Sequence, residues 1–197
     1  MGLNTYYNPG TPQRLFVVGD SKSGGVYGAW IGMLMHSLYK ESAGNNYIQP
    51  PDWSGYGGHT VGDMSLDVPA DLPSKSATAD IILINLGAND VNSALPAEAT
   101  WKANMLIIID TLHTKYPNAP IYCARAWKRD VDDRCDTMAT WLDDVIAARS
   151  DFVHLGHDER GWMKGANNGA TMTTDGVHYS AAGIVECAAQ WGTVLGY

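Results

Sequence analysis

The sequence is short of several things, and each shortage narrows what the chain can do. Positive charge is scarce: 13 Lys and Arg stand against 21 Asp and Glu, for a formal net charge of −8 at pH 7. Phosphate backbones are held by clustered Lys and Arg, so nucleic acid is not an expected partner. No block of like charge marks an interaction tail. No apolar run approaches the length of a membrane span. The opening residues, Met1-Gly2-Leu3-Asn4-Thr5, have neither a basic n-region nor an apolar h-region, so no signal peptide is expected in this chain. A cytoplasmic protein and the mature form of a secreted one both fit that reading. Cysteine is limited to Cys123, Cys135 and Cys187, without metal-ligand spacing. Buried thiols are expected, with one disulfide plus one free thiol as the alternative. Phenylalanine is scarce too: 2 Phe against 10 Tyr and 7 Trp. Tyr and Trp carry a polar atom and suit wet rims as well as cores.

What remains is a globular chain of 197 residues, long enough for one domain with a sizeable core. A single domain over 1–197 is expected, with 1–13 as an irregular lead-in holding Pro9, Gly10 and Pro12. Residues 14–19 read as a strand. Apolar positions Val26, Trp30, Ile31, Leu34 and Leu38 then recur at helical spacing over 24–39. A short strand is expected at 46–49, ended by Pro50-Pro51, followed by a glycine-rich loop over 53–60. Residues 80–87 form the clearest strand, apolar on both faces as in a central parallel strand. A helix over 98–116, a strand over 120–124, a helix over 135–149 and a strand over 152–155 follow. A polar loop over 156–174 leads to a final helix capped by Ser180 and running to 194. Strands alternating with helices imply a parallel sheet covered on both faces. In such sheets the working groups lie beyond the carboxyl ends of the strands.

Several residues at those ends carry chemistry. Ser21 lies in Gly19-Asp20-Ser21, a tight turn between a strand and a helix. Free backbone N–H groups and the helix dipole converge there, which suits either a nucleophile whose product is an oxyanion or a bound phosphate. Asp175 and His178 are three residues apart. A bent segment would let the carboxylate reach Nδ1–H and leave Nε2 to accept a hydroxyl proton; the alternative is an Asx turn with an incidental histidine. Asn89 ends a strand, where its amide can donate to an oxyanion or simply form a turn. Gly58 offers an N–H with no side chain in the way, or only loop flexibility. His154-x-x-His157-Asp158 lacks a further ligand at fitting spacing and is read as structural, with no metal expected.

Taken in order, Gly19-Asp20-Ser21, Gly57-Gly58-His59-Thr60, Gly87-Ala88-Asn89-Asp90 and Asp175-Gly176-Val177-His178 resemble the four blocks of the SGNH hydrolases, the GDSL-type esterases and lipases. They span nearly the whole chain. The resemblance implies a three-layer α/β/α sandwich, flavodoxin-like, with about five parallel strands. It implies Ser21 as nucleophile, His178 as general base and then acid, and Asp175 as its orienting carboxylate. It implies an oxyanion hole of the Ser21 and Gly58 backbone N–H groups and the Asn89 side chain, with Gly57 competing for the Gly58 role. Asp20 and Asp90 would brace the loops, and no cofactor is required. The chain departs from the family at Lys22, where an apolar residue is usual. A cation at the site mouth, favouring a polar or acidic substrate, is one expectation; a solvated lysine is the other.

The expected activity is hydrolysis of short-chain acyl esters, with carbohydrate O-acetyl esters favoured. Trp53, Tyr56, Trp127 and Trp162 are expected on loops near the strand exits, where flat rings suit sugars; anchoring of loops to the core is their alternative. A lysophospholipase or thioesterase of the same fold is the runner-up. A flavin- or phosphate-binding module and a non-catalytic glycan-binding protein are the readings from other classes. A phosphate cradle, however, gives no reason for Asn89 and the Asp175–His178 pair to occur in register.

Overall fold

The computed structural model describes residues 14–24, 28–41, 49–92, 94–165 and 169–196. The lead-in 1–13, the stretch 46–48, Gly25 and Val26 lie outside the described residues. Five strands form one parallel sheet: β1 (Arg14–Gly19), β2 (Gln49–Gly55), β3 (Ile81–Asn85), β4 (Ile121–Arg125) and β5 (Val153–Asp158), in the order β2-β1-β3-β4-β5. β1 is buried from Leu15 to Gly19, and β3 along its whole length. Their unbroken apolar runs follow from helices covering both faces. α1 (Ala29–Glu41) packs on α6 (Ala181–Leu195). α2 (Val61–Asp71) packs on α3 (Glu98–Lys115), which packs on α4 (Asp132–Ala147). The result is the three-layer α/β/α sandwich, with the flavodoxin-like strand order. The order in which strands are added reverses between β1 and β3, and ligands in such sheets bind at that switch point.

Three parts differ from the sequence expectation. β2 runs through Pro50-Pro51 into Trp53 rather than stopping before them. It is an edge strand, where a missing N–H costs no ladder bond. The register also slips there, from Arg14 opposite Gln49 to Phe16 opposite Asp52, so the prolines occupy a bulge. α2 is an additional helix, opened by a capping box in which Thr60 and Asp63 satisfy each other's backbone N–H groups. The expected polar loop over 156–174 is instead shortened by β5, which reaches Asp158, and by a seven-residue helix, α5 (Glu159–Gly165).

Other boundaries shift modestly. α1 starts at Ala29 because Ser21–Ser23 first form a 3-10 turn. α4 starts at Asp132, with Asp132 and Asp133 in its first turn, where the positive end of the helix dipole stabilises carboxylates. The Ser180 hydroxyl caps α6 by accepting from the Gly183 N–H at 3.1 Å. Cys123, Cys135 and Cys187 are buried and free. Among the described residues, no helix is long and apolar enough to cross a membrane, and no group of three or more metal-ligating side chains occurs.

Candidate active site

The turn after β1 is tight for a steric reason. A methyl group on Gly19 would lie 2.3 Å from Ser23 Cβ, so only glycine lets the chain fold back there. The Asp20 carboxylate then accepts from the Lys22 N–H at 3.0 Å and opens the 3-10 turn that carries Ser21. Burial pushes the Asp20 carboxyl up, against the opposing pull of the Lys22 charge. Ser21 is left half-buried at the sheet's carboxyl edge.

His178 reaches it from the segment before α6. Its Nε2 lies 2.9 Å from Ser21 Oγ, and its Nδ1 lies 2.7 Å from Asp175 Oδ2. Asp175 Oδ1 accepts from the backbone N–H groups of Val177 and His178, at 2.9 and 2.8 Å. Partial desolvation raises the Asp175 carboxyl, but the His178 ring and these two N–H groups outweigh it and hold it well below the usual carboxylate range. An ionised carboxylate only accepts, so the neutral imidazole must donate from Nδ1–H. Nε2 is then the acceptor, and the Ser21 hydroxyl donates to it.

Two loops close the opposite side. Tyr56–His59 form a turn in which the His59 N–H donates to the Tyr56 carbonyl at 3.3 Å. Gly58 occupies its third position with φ +85°, a value that suits glycine and strains other residues. Gly57 runs alongside the serine: a methyl group on it would touch Ser21 Cβ at 3.7 Å. Asn89, after β3, donates from Nδ2 to the His59 carbonyl at 2.9 Å, which fixes the amide and leaves its second hydrogen. No acceptor among the described residues engages the backbone N–H of Ser21 or Gly58. Asp90 ties the loops together by accepting from the Val61 N–H at 3.0 Å, at the start of α2. Burial raises its carboxyl to about 6, with the Val61 bond opposing that rise.

The aromatic and charged candidates divide. Trp53 is 42% exposed, on β2, with its ring against Gly24 and Gly55. Tyr56 is exposed at 40%, stacks on His59 at 5.1 Å and donates to Asp71 at 2.9 Å. Trp53 thus borders Gly24, at the end of the turn that carries Ser21, and Tyr56 directly precedes Gly57, which borders Ser21 itself. Trp127 is fully buried, and its side chain anchors the loop after β4 in the core. Trp162 is half-buried on α5, lines a cleft with Asp158, Gly161, Gly165 and Gln190, and packs its ring 6.3 Å from that of Tyr179; neither Ser21 nor His178 lines that cleft. Lys22 is neither a cation at the mouth nor solvated. It is 1% exposed, because its side chain turns inward to Glu159 at 2.6 Å. His157 is buried against Trp191 at 4.8 Å, and burial lowers its ring to about 3, with the Lys22 charge adding to the effect.

Sequence reasoning missed Glu159, Tyr179 and Asn85, which form a buried polar cluster under the site. Glu159 sits in a stretch with no apolar period to announce burial. Tyr179 carried one signal, its position directly after His178.

Known proteins share this architecture. No curated protein sequence matches the chain. Among solved structures, TesA superposes with a TM-score of 0.73 at 19% identity, covering 93% of this chain and 98% of its own. The acetyl xylan esterase AlAXEase gives 0.70 at 17%, covering 92% and 99%. A variant of Axe2, an acetyl-xylooligosaccharide esterase from Geobacillus Stearmophilus, gives 0.75 at 16%, covering 95% and 96%. At these identities the likeness is one of fold. The family model of the GDSL-like lipase/acylhydrolase family matches residues 16–184, from β1 into α6, and the chain belongs to that family as a carboxylic ester hydrolase.

Proposed function

We propose that Ser21 is the nucleophile of a short-chain acyl esterase whose substrate is an O-acetylated carbohydrate. His178 is its base and then acid, Asp175 orients the ring, and the Ser21 N–H, the Gly58 N–H and Asn89 Nδ2 form the oxyanion hole. The observation that carries the reading is the unbroken hydrogen-bonded series Ser21 Oγ, His178 Nε2, His178 Nδ1, Asp175 Oδ2, at 2.9 and 2.7 Å. Ser21 Oγ attacks the ester carbonyl as its proton passes to Nε2. The carbonyl electron pair moves onto oxygen, where preorganised N–H donors stabilise it. The intermediate collapses, the C–O bond to the alcohol breaks, and Nε2–H protonates the leaving oxygen. Water then attacks the acyl-Ser21 ester, giving its proton to Nε2, and the acid and Ser21 are released.

Two features favour a small acyl group on a sugar. Trp53 and Tyr56 present exposed rings, the first against Gly24 and the second directly before Gly57, and flat apolar faces with a polar edge suit sugar rings. Beyond Asn89, a cleft is lined by Thr60, Thr100 and Asn104 together with Ala94, Pro96 and Trp101, a mixed wall of mostly short side chains. Two of the structurally similar proteins are themselves acetyl xylan or acetyl-xylooligosaccharide esterases.

The test is a series of p-nitrophenyl esters from acetate to long acyl chains, run beside acetylated xylan. The expected result is a rate highest for acetate, acetate release from the xylan, and a loss of roughly 10,000-fold or more in Ser21→Ala. A rate that climbs with chain length sinks the acetyl reading. A Ser21→Ala protein as active as its parent sinks the nucleophile.

A further inference from the structure

Lys22 follows the nucleophile and Tyr179 follows the base, and both side chains turn down into the same buried cluster. Lys22 Nζ lies 2.6 Å from Glu159 Oε1 and 2.6 Å from the Trp127 carbonyl oxygen. Glu159 Oε2 accepts from the Trp127 N–H at 3.3 Å. The Tyr179 ring lies 5.6 Å from the ammonium, its hydroxyl accepts from Asn85 Nδ2 at 3.4 Å, and it contacts Glu159. The Lys22 carbonyl in turn accepts from Trp30 Nε1 at 3.1 Å. Lys22, Glu159 and Tyr179 are each no more than 1% exposed.

We propose that the buried Lys22–Glu159 ion pair, closed over by Tyr179, is a positioning device that ties the nucleophile turn to the histidine segment and sets the Ser21–His178 distance. It rests on the assignment of Ser21 and His178 as nucleophile and base.

Three arguments support a positioning role over simple space filling. First, an ion pair is a poor choice for filling a core. Removing both charges from water offsets most of their attraction, and apolar side chains of similar volume commonly serve as well or better. Second, the cluster joins parts of the chain that nothing local connects. Lys22 follows β1, Asn85 ends β3, Trp127 follows β4, Glu159 follows β5, and Tyr179 precedes α6. An ammonium with three donors is suited to such a junction, because two of its donors are held by different elements, Glu159 directly after β5 and the Trp127 carbonyl after β4. Third, the linkage to the chemistry is short. One peptide bond separates Lys22 from Ser21, and one separates Tyr179 from His178. A shift of the ammonium by an ångström is therefore passed to the reacting pair, and misplacement of that size is costly in rate.

Neighbouring groups are arranged for a single cation at this point. Asp20 lies on the other side of the same turn and is also buried; burial raises its carboxyl, and the Lys22 charge opposes that rise. His157 is buried close by and held neutral by burial and by that same charge. Lys22 thus faces two acids and no competing cation among these groups.

The test compares the full-length parent with Glu159→Gln and with the double variant Lys22→Met/Glu159→Leu. The readouts are kcat and KM on p-nitrophenyl acetate, the rate of Ser21 phosphorylation by diethyl p-nitrophenyl phosphate, and the thermal midpoint. The expected result for the double variant is a midpoint at or above that of the parent, KM little changed, and kcat lower by about 10- to 100-fold. The phosphorylation rate should fall in parallel, since it reports the Ser21–His178 pair without deacylation. Glu159→Gln should show the same split between kcat and KM. A parent-like kcat in either folded variant overturns the proposal. Failure of both variants to fold overturns it as well, because the pair would then determine folding rather than alignment. Ser21→Ala separates the two readings: if it stays active, the nucleophile assignment fails whatever Lys22 does.

Discussion

Replacing Asp175 by asparagine changes almost no volume, yet the hydrogen bonds around it predict a large loss of activity. Both backbone N–H groups, from Val177 and His178, donate to Oδ1, while Oδ2 alone faces His178 Nδ1. An asparagine keeps the two backbone bonds only by pointing its NH2 at Nδ1. Nδ1 must then accept, so the ring proton moves to Nε2, where it faces Ser21 Oγ and blocks proton uptake. Turning the amide over restores the productive tautomer but points NH2 at two backbone N–H groups. Losing two ordinary hydrogen bonds costs about 2 kcal/mol, or roughly 30-fold in the population of that tautomer. The imidazolium formed during reaction also loses its charged partner, for about 1.4 kcal/mol or roughly another tenfold. Together these predict a fall in kcat of about 300-fold as a minimum, with about 10,000-fold as the limit for a buried triad. The Asp175 side chain is 52% exposed, so water relieves part of the cost, which places the expected value nearer the lower figure. Steady-state hydrolysis of p-nitrophenyl acetate measures it, with a thermal melt to confirm the fold. Nitrogen-15 shifts of the His178 ring should report a proton on Nδ1 in the parent and on Nε2 in the variant. An Asp175→Asn protein with more than about a tenth of the parent kcat would refute the tautomer argument.

The other loops make their own predictions. Asn89→Ala removes an amide that the His59 carbonyl holds in place, and kcat should fall about 100- to 1000-fold with the fold intact; an unchanged rate removes Asn89 from the oxyanion hole. Asp90 makes a prediction about stability. Its carboxyl is raised to about 6 in the fold, so the folded state holds a proton there that the unfolded chain releases. The stability this contributes is complete below the unfolded pKa and is lost as pH rises through 6. Asp90→Asn should therefore gain on its parent between pH 4 and pH 7 by up to about 3 kcal/mol in urea unfolding. A difference that stays constant across that range contradicts the assigned burial of charge.

How much of this could be read from the chain alone depended on whether the decisive contacts were local. β1 and β3 were legible because strands covered on both faces are apolar throughout. The Asp175–His178 pair was legible because its members are three residues apart. Ser21 and Asn89 were legible because each lies within a few residues of a strand's carboxyl end, and strand exits converge in a parallel sheet. β2 was misread because Pro50-Pro51 punctuates most structure, and only its edge position makes the prolines harmless. α2 went unseen although Val61, Met64 and Val68 recur at helical spacing, because glycine and proline surround and interrupt it.

The direction of a side chain at a strand exit is a different matter. Ser21 and Lys22 are neighbours, and sequence position alone offers both to the substrate. The 3-10 turn points one to the surface and the other inward. What makes the inward course tolerable for a lysine is an acid 137 residues away, on β5's far side. A buried ammonium without a partner would lose its proton or unfold its surroundings. The fate of Lys22 was therefore written at Glu159, in a stretch whose polarity reads as loop. The same holds for Trp127, whose exposure was expected from its place after β4. Its backbone N–H and carbonyl both belong to the Lys22–Glu159 cluster, which leaves the indole inside the fold. Of the four aromatic candidates, the exposed rings are then Trp53 and Tyr56, on β2 and in the turn after it. A sugar bound there would lie over the edge of the sheet opposite the buried ion pair, so the site would divide into a recognition side and an alignment side about the nucleophile.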